Sequence, residues 1–136
     1  MTRDILPLQA ANLPSQAALD NALCGMRRRQ VVSQSTSGAH AAVWCDMDGN
    51  IVALREDVGR HNALDKLIGW HSSELADGFV LVSSRASYEM VAKAATAGIG
   101  VLAAVSAPTS MAIETAKTAN LKLIAFASNG RHALYS

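Results

Sequence analysis

The sequence predicts a three-layer α/β/α domain with a mixed sheet that starts with a β-hairpin, and three features lead to this fold class. Two short apolar runs flank the turn sequence MDGN at residues 47–50, which is a hairpin signal. Farther along, short and continuously apolar runs alternate with segments of helical period, as parallel strands alternate with their connecting helices. Half of the 136 residues are hydrophobic but only 4% are aromatic, so the core must be aliphatic.

The first helix is predicted over residues 15–31, with Ser15 as its N-cap. Apolar residues recur at helical spacing after this cap, namely Leu19, Ala22, Leu23 and Met26. Residues 1–14 contain two prolines and no firm periodicity, so we interpret them as a leader or the remnant of a linker. The folded domain is therefore expected over residues 15–136.

The remaining elements follow from changes of hydrophobic period and from turn residues. We expect a helix to end at Gly98 and another to have Pro108 in its first turn. The full order is α-β-β-α-β-α-β-α-β. After the first helix the segments predict strands over 40–46 and 50–55, a helix over 59–71, a strand over 78–84, a helix closed at 98, a strand over 101–106, a helix over 108–120, a strand over 121–128 and a short last strand over 132–136.

Charge and hydropathy exclude several classes of protein. The formal net charge is +1, so no overall field favours nucleic acid or an anionic membrane. The basic cluster MRRRQ at residues 26–30 is interpreted as a solvated helix end. No apolar run is long enough to span a bilayer and no signal peptide is recognisable, so we expect a cytoplasmic protein. Cys24 and Cys45 lack metal-site or redox spacing and are interpreted as buried structural thiols.

Polar residues collect at three strand-to-helix junctions: REDVGRHN at 55–62, SSRAS at 83–87 and SAPTS at 106–110. If the strands are parallel, these junctions meet at one edge of the sheet. Helix N-termini together with Arg60 and Arg85 suit an anion such as phosphate or pyrophosphate. The structural alternative is that residues of the junctions only cap their helices; the candidates are Asp57, Ser84, Ser87 and Ser106.

His61 lies on the same helix face as Leu64 and is interpreted either as a satisfied core or edge histidine or as a ligand-contacting or catalytic group. Glu56 and Asp57 are adjacent on a strand end, where their side chains diverge, so they are poor candidates for an acid/base pair. The structural interpretation is that Asp57 caps the second helix while Glu56 pairs with Arg60 or Arg85.

The order of elements resembles the cytidine deaminase architecture. Zinc deaminases carry H-x-E after the hairpin and P-C-x-x-C at the next helix, whereas those places here hold RHNAL and SSRASYEM. The glutamate and both cysteines are missing, and zinc needs three protein ligands. We therefore expect no zinc site.

The segments REDVGRHNALDKLIG, VLVSSRASYEMVAKAATAGI, AVSAPTSMAIETA and LKLIAFASNGRHALY resemble the FdhD family of formate dehydrogenase accessory proteins, and QSTSGAHAA resembles the family's T-G-x-H-x-A-A segment. The resemblance runs from about residue 20 to the end. It implies a cytoplasmic, typically dimeric sulfurtransferase. Sulfur would pass from a cysteine desulfurase to the molybdenum (or tungsten) cofactor bis-molybdopterin guanine dinucleotide, which then enters formate dehydrogenase.

The resemblance also implies a deaminase-like fold for the larger, cofactor-binding domain, and a persulfide carried on an upstream C-x-x-C loop. This sequence has no C-x-x-C, so it is either an isolated carboxyl-terminal domain or a shortened member, and no catalytic residue is assigned within it. A second class of function stays open: a non-catalytic dimerisation or docking module for formate dehydrogenase or the desulfurase.

Together, the junctions and the resemblance assign contacts to the cofactor, for which GDP is a mimic. Ser84, Arg85 and Ser87 are assigned to phosphate or ribose. Met90 and Phe126 are assigned to the two sides of the guanine, with core packing as the alternative for both.

Three residues of the first junction complete the predicted site. Arg60 and His61 would hold the pterin-side phosphates or the geometry of sulfur transfer. Asp57 would orient both of them.

Overall fold

The computed structural model describes residues 11–29, 40–71, 77–128 and 130–136, without the side chains of Arg60, Phe126 and Ser128. The order of elements agrees with the predicted one, and the expected short last strand is present, starting at Arg131. The elements are α1 (Gln16–Arg29), β1 (His40–Asp46), β2 (Ile51–Asp57), α2 (Arg60–Trp70), β3 (Gly78–Val82), α3 (Tyr88–Thr96), β4 (Val101–Ala104), α4 (Ser110–Ala119), β5 (Lys122–Ser128) and β6 (Arg131–Leu134).

One six-stranded sheet has the order β2-β1-β3-β4-β5-β6. Strand β1 is antiparallel to both β2 and β3, while β3, β4 and β5 run parallel and β6 returns antiparallel. The predicted hairpin and the predicted parallel strands are therefore both confirmed. Strands β3 and β4 are buried along almost their whole length, which explains their continuously apolar sequences.

Helices cover both faces of the sheet, which confirms the three layers. Helix α1 packs on one face, where Leu19, Leu23 and Met26 meet alternate residues of the strands, such as Val43 and Leu81. Helices α2, α3 and α4 cover the other face, and their buried residues surround the complementary set of strand residues. That second cluster includes Trp44, Val80, Val82, Leu64, Leu67, Met90, Ala112 and Leu123.

The predicted helix ends are confirmed where the capping residue was identified correctly and are wrong where it was not. Ser15 Oγ accepts from Ala18 N at 3.1 Å, as expected for an N-cap, and Gly98 follows α3 with a φ of +82°. Pro108, however, lies before the N-cap of α4, because Thr109 Oγ accepts from Ala112 N at 3.1 Å. Strand β2 also continues to Asp57, beyond its predicted end at 55.

The two cysteines differ, which corrects one of the two interpretations. Cys45 is buried in β1, and burial raises the pKa of its thiol to about 12. Cys24 is exposed on α1, so its interpretation as a buried thiol was wrong. It follows Leu23, and one residue turns the helix by about 100°, which carries Cys24 off the buried face.

The leader assigned to residues 1–14 lies largely outside the described residues, and residues 11–14 form neither helix nor strand. None of the helices that the structure describes is both long and apolar enough to cross a bilayer.

Candidate functional site

The three polar junctions lie at one edge of the sheet. Because β1 is antiparallel to both β2 and β3, those two strands point the same way, and β4 is parallel to β3. Their carboxyl ends therefore share an edge with the amino end of β1. This edge is called the rim, and it comprises residues 55–62, 83–87, 105–110 and His40.

Hydrogen bonds tie the second and third junctions together and to β1. Arg85 Nε donates to Ala107 O at 3.2 Å, and Thr109 N donates to Ala86 O at 3.0 Å. Ser83 Oγ accepts from Ala41 N at 2.9 Å. These contacts hold the starts of α3 and α4 next to each other, so two helix N-termini face the same part of the rim.

Arg85 is exposed, and its hydrogen bond to Ala107 O uses only Nε. A guanidinium has further N–H donors on its two terminal nitrogens. Anchoring through Nε restricts the side chain while leaving a cationic group at the surface beside two helix N-termini. This is an arrangement that suits a phosphate oxygen.

The capping alternative holds for only one of its four residues. Ser87 is the N-cap of α3, and its Oγ accepts from Met90 N at 3.3 Å. Thr109, rather than Ser106, caps α4. Ser84 is only 7% exposed, and its hydroxyl donates to Arg85 O at 3.0 Å, which shapes the loop instead of capping a helix.

Asp57 stabilises the turn before α2 and is not its N-cap, because Gly59 occupies that position without a side-chain cap. Asp57 Oδ1 accepts from Gly59 N at 2.9 Å, and Oδ2 lies 2.8 Å from Lys66 Nζ. The Gly59 amide first, and Lys66 second, lower the pKa of Asp57 to about 2. The carboxylate is thus ionised and already neutralised by a lysine.

The predicted role of Asp57 in orienting Arg60 and His61 receives no support from these contacts. Its remaining partner is Asn62, whose Nδ2 lies 3.5 Å from Oδ1. The side chain of Arg60 lies outside the described residues, as does any pairing of Arg60 with Glu56.

His61 lies in the first turn of α2 and is partly exposed, yet its Nδ1 is buried with no hydrogen-bond partner among the described residues. Buried polar atoms are nearly always hydrogen-bonded in native proteins. The interpretation as a satisfied core histidine therefore fits poorly, although the unpaired nitrogen is itself closed to the surface.

Met90 is fully buried among the residues packed between α3 and the sheet. Its assignment to one side of a guanine at the rim is therefore corrected in favour of core packing. The reason is helical geometry: α3 begins after Ser87, and Met90 falls on the face that meets the sheet. Phe126 lies on β5, but its side chain is outside the described set.

Sequence reasoning missed two residues of this region. Lys66 donates to Glu56 O at 3.1 Å in addition to its ion pair with Asp57, and no spacing rule links residues that far apart. His40 opens β1 directly opposite Asp57; the Gly- and Ser-containing sequence STSGAH that it ends was the one available signal.

No group of three or more His, Cys, Asp or Glu side chains is placed to hold a metal ion within the part of the chain that the structure describes. The local charge is mixed. Glu89 stands in the first turn of α3 and favours that N-terminus electrostatically, while Arg85 and Lys66 supply positive charge.

Comparisons with a family model and with individual proteins point to the same family. Residues 3–136 match the model of the FdhD/NarQ family. The chain is 51% identical over 130 residues to the sulfur carrier protein FdhD of Bordetella petrii, covering 93% of this chain and 46% of that protein. It is 50% identical over 121 residues to the protein of the same name from Acinetobacter baylyi, covering 87% and 44%. The chain thus spans less than half the length of these relatives.

A crystal structure assigned to a formate dehydrogenase accessory protein from Desulfotalea psychrophila superposes with a TM-score of 0.86 at 26% identity. The match covers 98% of this chain and 58% of the other. The similarity therefore extends over the whole sheet and the helices on both of its faces.

Proposed function

Because the chain belongs to the FdhD/NarQ family, we propose that it acts in the maturation of formate dehydrogenase by holding bis-molybdopterin guanine dinucleotide while sulfur from a cysteine desulfurase is delivered. The observation that carries this proposal is the convergence of three strand-to-helix junctions at one rim, with Arg85 anchored among them. The rim is the place where phosphates of such a ligand would bind.

The residues of the rim fit an anionic ligand in three respects. Helix N-termini present N–H groups and partial positive charge. Arg85 adds a guanidinium held by Ala107 O. Asp57, which would otherwise repel a phosphate, is neutralised by Lys66 and the Gly59 amide.

When bound, the cofactor would supply the metal atom that accepts sulfur. The residues of this chain would bind and orient the ligand, with Arg85 and the start of α3 on the phosphates and the partly exposed ring of His61 beside them. The chain has two cysteines and no C-x-x-C, so the proposal places the sulfur-carrying thiols outside these residues.

Titration calorimetry with GDP tests the proposal. We expect binding to the chain, and we expect Arg85→Ala to weaken it by about tenfold to a hundredfold, since a hydrogen bond to a charged group contributes about 1.5–3 kcal/mol. Arg27→Ala is the matched control, because Arg27 is an exposed arginine on α1, on the opposite face of the sheet. The absence of both heat and thermal stabilisation at millimolar GDP would overturn the nucleotide assignment.

A docking module is the second candidate, and exposed apolar residues at the rim favour it. Val58, Tyr88 and Met111 are 75%, 41% and 58% exposed, and they stand near the starts of α2, α3 and α4. Retention of formate dehydrogenase or the desulfurase without nucleotide, undisturbed by Arg85→Ala, would support docking over cofactor binding.

Two further features belong to the same proposal. The order β2-β1-β3-β4-β5 with a reversed β1 supports the cytidine deaminase-like arrangement that the sequence suggested. A homodimer in the cytoplasm is expected from the family resemblance. Light scattering of the purified chain tests the oligomeric state directly.

A further inference from the structure

His40, the first residue of β1, lies at the rim between the carboxyl ends of β2 and β3. His40 and Asp57 are Cα partners in the antiparallel β1–β2 pair. In the β1–β3 pair, Ala42 is opposite Val82, and the backbone contact between Ser83 N and Ala41 O continues that pairing. Ser83 Oγ also accepts from Ala41 N at 2.9 Å, so the loop after β3 stays beside the first residues of β1.

His40 and Asp57 lie on the sheet face covered by α2, α3 and α4. Ala42 and Trp44 pack in the cluster on that face, and alternation along a strand puts His40 on the same side. Asp57 contacts Lys66 of α2, which places its side chain there as well. Both side chains therefore lie on the side of the sheet where α2, α3 and α4 pack.

The polar side chains of Asp57 and Ser84 already have hydrogen-bond or ion-pair partners. Both oxygens of Asp57 bind Gly59 N and Lys66 Nζ, and the Ser84 hydroxyl donates to Arg85 O. His40 is half-buried, and the structure gives its ring no hydrogen bond or ion pair with any residue whose side chain it describes. Within the described part of the chain, this half-buried imidazole thus has no hydrogen-bond partner.

The charged and titratable groups at this part of the rim are Asp57 on β2, Arg85 in the loop after β3, and His61 and Lys66 on α2. An anion held at the rim would lie among these groups. Imidazole donates a hydrogen bond in either of its protonation states, so it can meet a phosphate oxygen without a change of charge.

We propose that His40 is a ligand-contacting residue that donates a hydrogen bond to a phosphate oxygen of the nucleoside diphosphate bound at the rim. This inference rests on the proposed nucleotide-binding function and adds a residue from β1 to it. It makes the amino end of an interior strand part of the phosphate site, alongside the helix N-termini.

The test compares His40→Ala and His40→Gln with the unchanged chain in calorimetric titrations with GDP and with inorganic pyrophosphate. We expect His40→Ala to weaken the binding of both ligands by about tenfold, and His40→Gln to recover part of the loss, because its amide also donates. His132→Ala is the control, since His132 lies on the edge strand β6 and contacts Gln16. Circular dichroism and thermal unfolding establish that each variant is folded.

The outcomes separate this inference from the function it rests on. If the unchanged chain binds neither GDP nor pyrophosphate, the nucleotide function itself falls. If the unchanged chain binds both and His40→Ala binds them equally well, the role of His40 is overturned while the function stands. A loss of GDP affinity with unchanged pyrophosphate affinity would also overturn it, because the contact would then be to the nucleoside. A shift of the His40 imidazole nitrogen signals in NMR spectra on adding GDP would support direct contact.

Discussion

The hairpin turn and the rim are both rich in polar groups, but they differ in how completely those groups are used. In the turn, Asp46 Oδ1 accepts from Asp48 N and Asn50 N at 3.0 and 2.9 Å, and Oδ2 accepts from Asn50 Nδ2 at 3.1 Å. Asn21 of α1 adds bonds to Asp48 O and Asn50 Oδ1. The turn is a closed network that stabilises the fold.

At the rim the hydrogen bonds hold the backbone in place and leave side chains available. Arg85 is anchored through one nitrogen, and His61 Nδ1 has no partner among the described residues. Unused polar capacity has a cost in stability, and proteins tolerate such costs mainly at functional sites. The difference between the two regions is therefore an argument for function that composition alone does not provide.

The largest effect should come from breaking the closed turn at Gly49. This residue has a φ of +84°, and an added Cβ would lie 2.0 Å from Ala18 O. We expect Gly49→Ala to reduce the free energy of unfolding by roughly 3 kcal/mol or more, because backbone strain and a clash with α1 combine. Urea denaturation measures the change.

Gly98 supplies the matched control for that variant. It has nearly the same φ, +82°, but an added Cβ would meet no atom within 4 Å. Gly98→Ala should therefore cost only the conformational term, about 1 kcal/mol. Equal losses for the two variants would show that contact between the turn and α1 is unimportant.

A smaller effect should distinguish the two regions directly. His61→Leu removes a buried nitrogen that lacks a partner, so we expect stability to stay within about 0.5 kcal/mol of the original or to rise, while GDP binding weakens. Asn50→Ala removes bonds in the turn and should cost about 1 kcal/mol without affecting GDP. Thermal unfolding measures the stability of both variants, and calorimetry measures their GDP binding. His61→Leu should lose binding but not stability, and Asn50→Ala should lose stability but not binding.

The pH dependence of stability sharpens the account of Asp57. Its pKa is lowered from 3.8 to about 2 in the folded state, so its stabilising contribution is present above pH 4 and is lost as the pH falls toward 2. Stability of the unchanged chain should fall in that window, and Asp57→Asn should show a shallower fall. Urea denaturation at pH 5, 3.5 and 2.5 provides the comparison; parallel curves would contradict it.

The fold was largely predictable because its signals are local. Alternation of apolar runs identified the parallel strands, MDGN identified the hairpin, and Ser15 and Gly98 identified helix ends. Errors arose where neighbouring residues compete for one role, as when Thr109 rather than Ser106 caps α4.

The site was less predictable, because it depends on register and on the direction of side chains. The strand directions that bring the junctions together followed from the pattern. The pairing of His40 with Asp57 did not, since residues far apart in sequence meet only through the sheet. Met90 looked like a rim residue because it follows SSRAS, but the start of α3 at Tyr88 turns it into the core.

The smallest expected effect concerns a second ion pair, away from the rim. Lys93 Nζ of α3 lies 3.0 Å from Asp65 Oδ1 of α2, and the two side chains are 27% and 50% exposed. Such a pair contributes roughly 0.2–1 kcal/mol and is screened by salt. A double-mutant cycle with Lys93→Met and Asp65→Asn should give a coupling in this range that shrinks in 1 M NaCl. A larger coupling that resists salt would mean that the contact between α2 and α3 helps to hold the N-termini of these helices at the rim. The position of the rim residues would then depend on helix packing as well as on the junction loops.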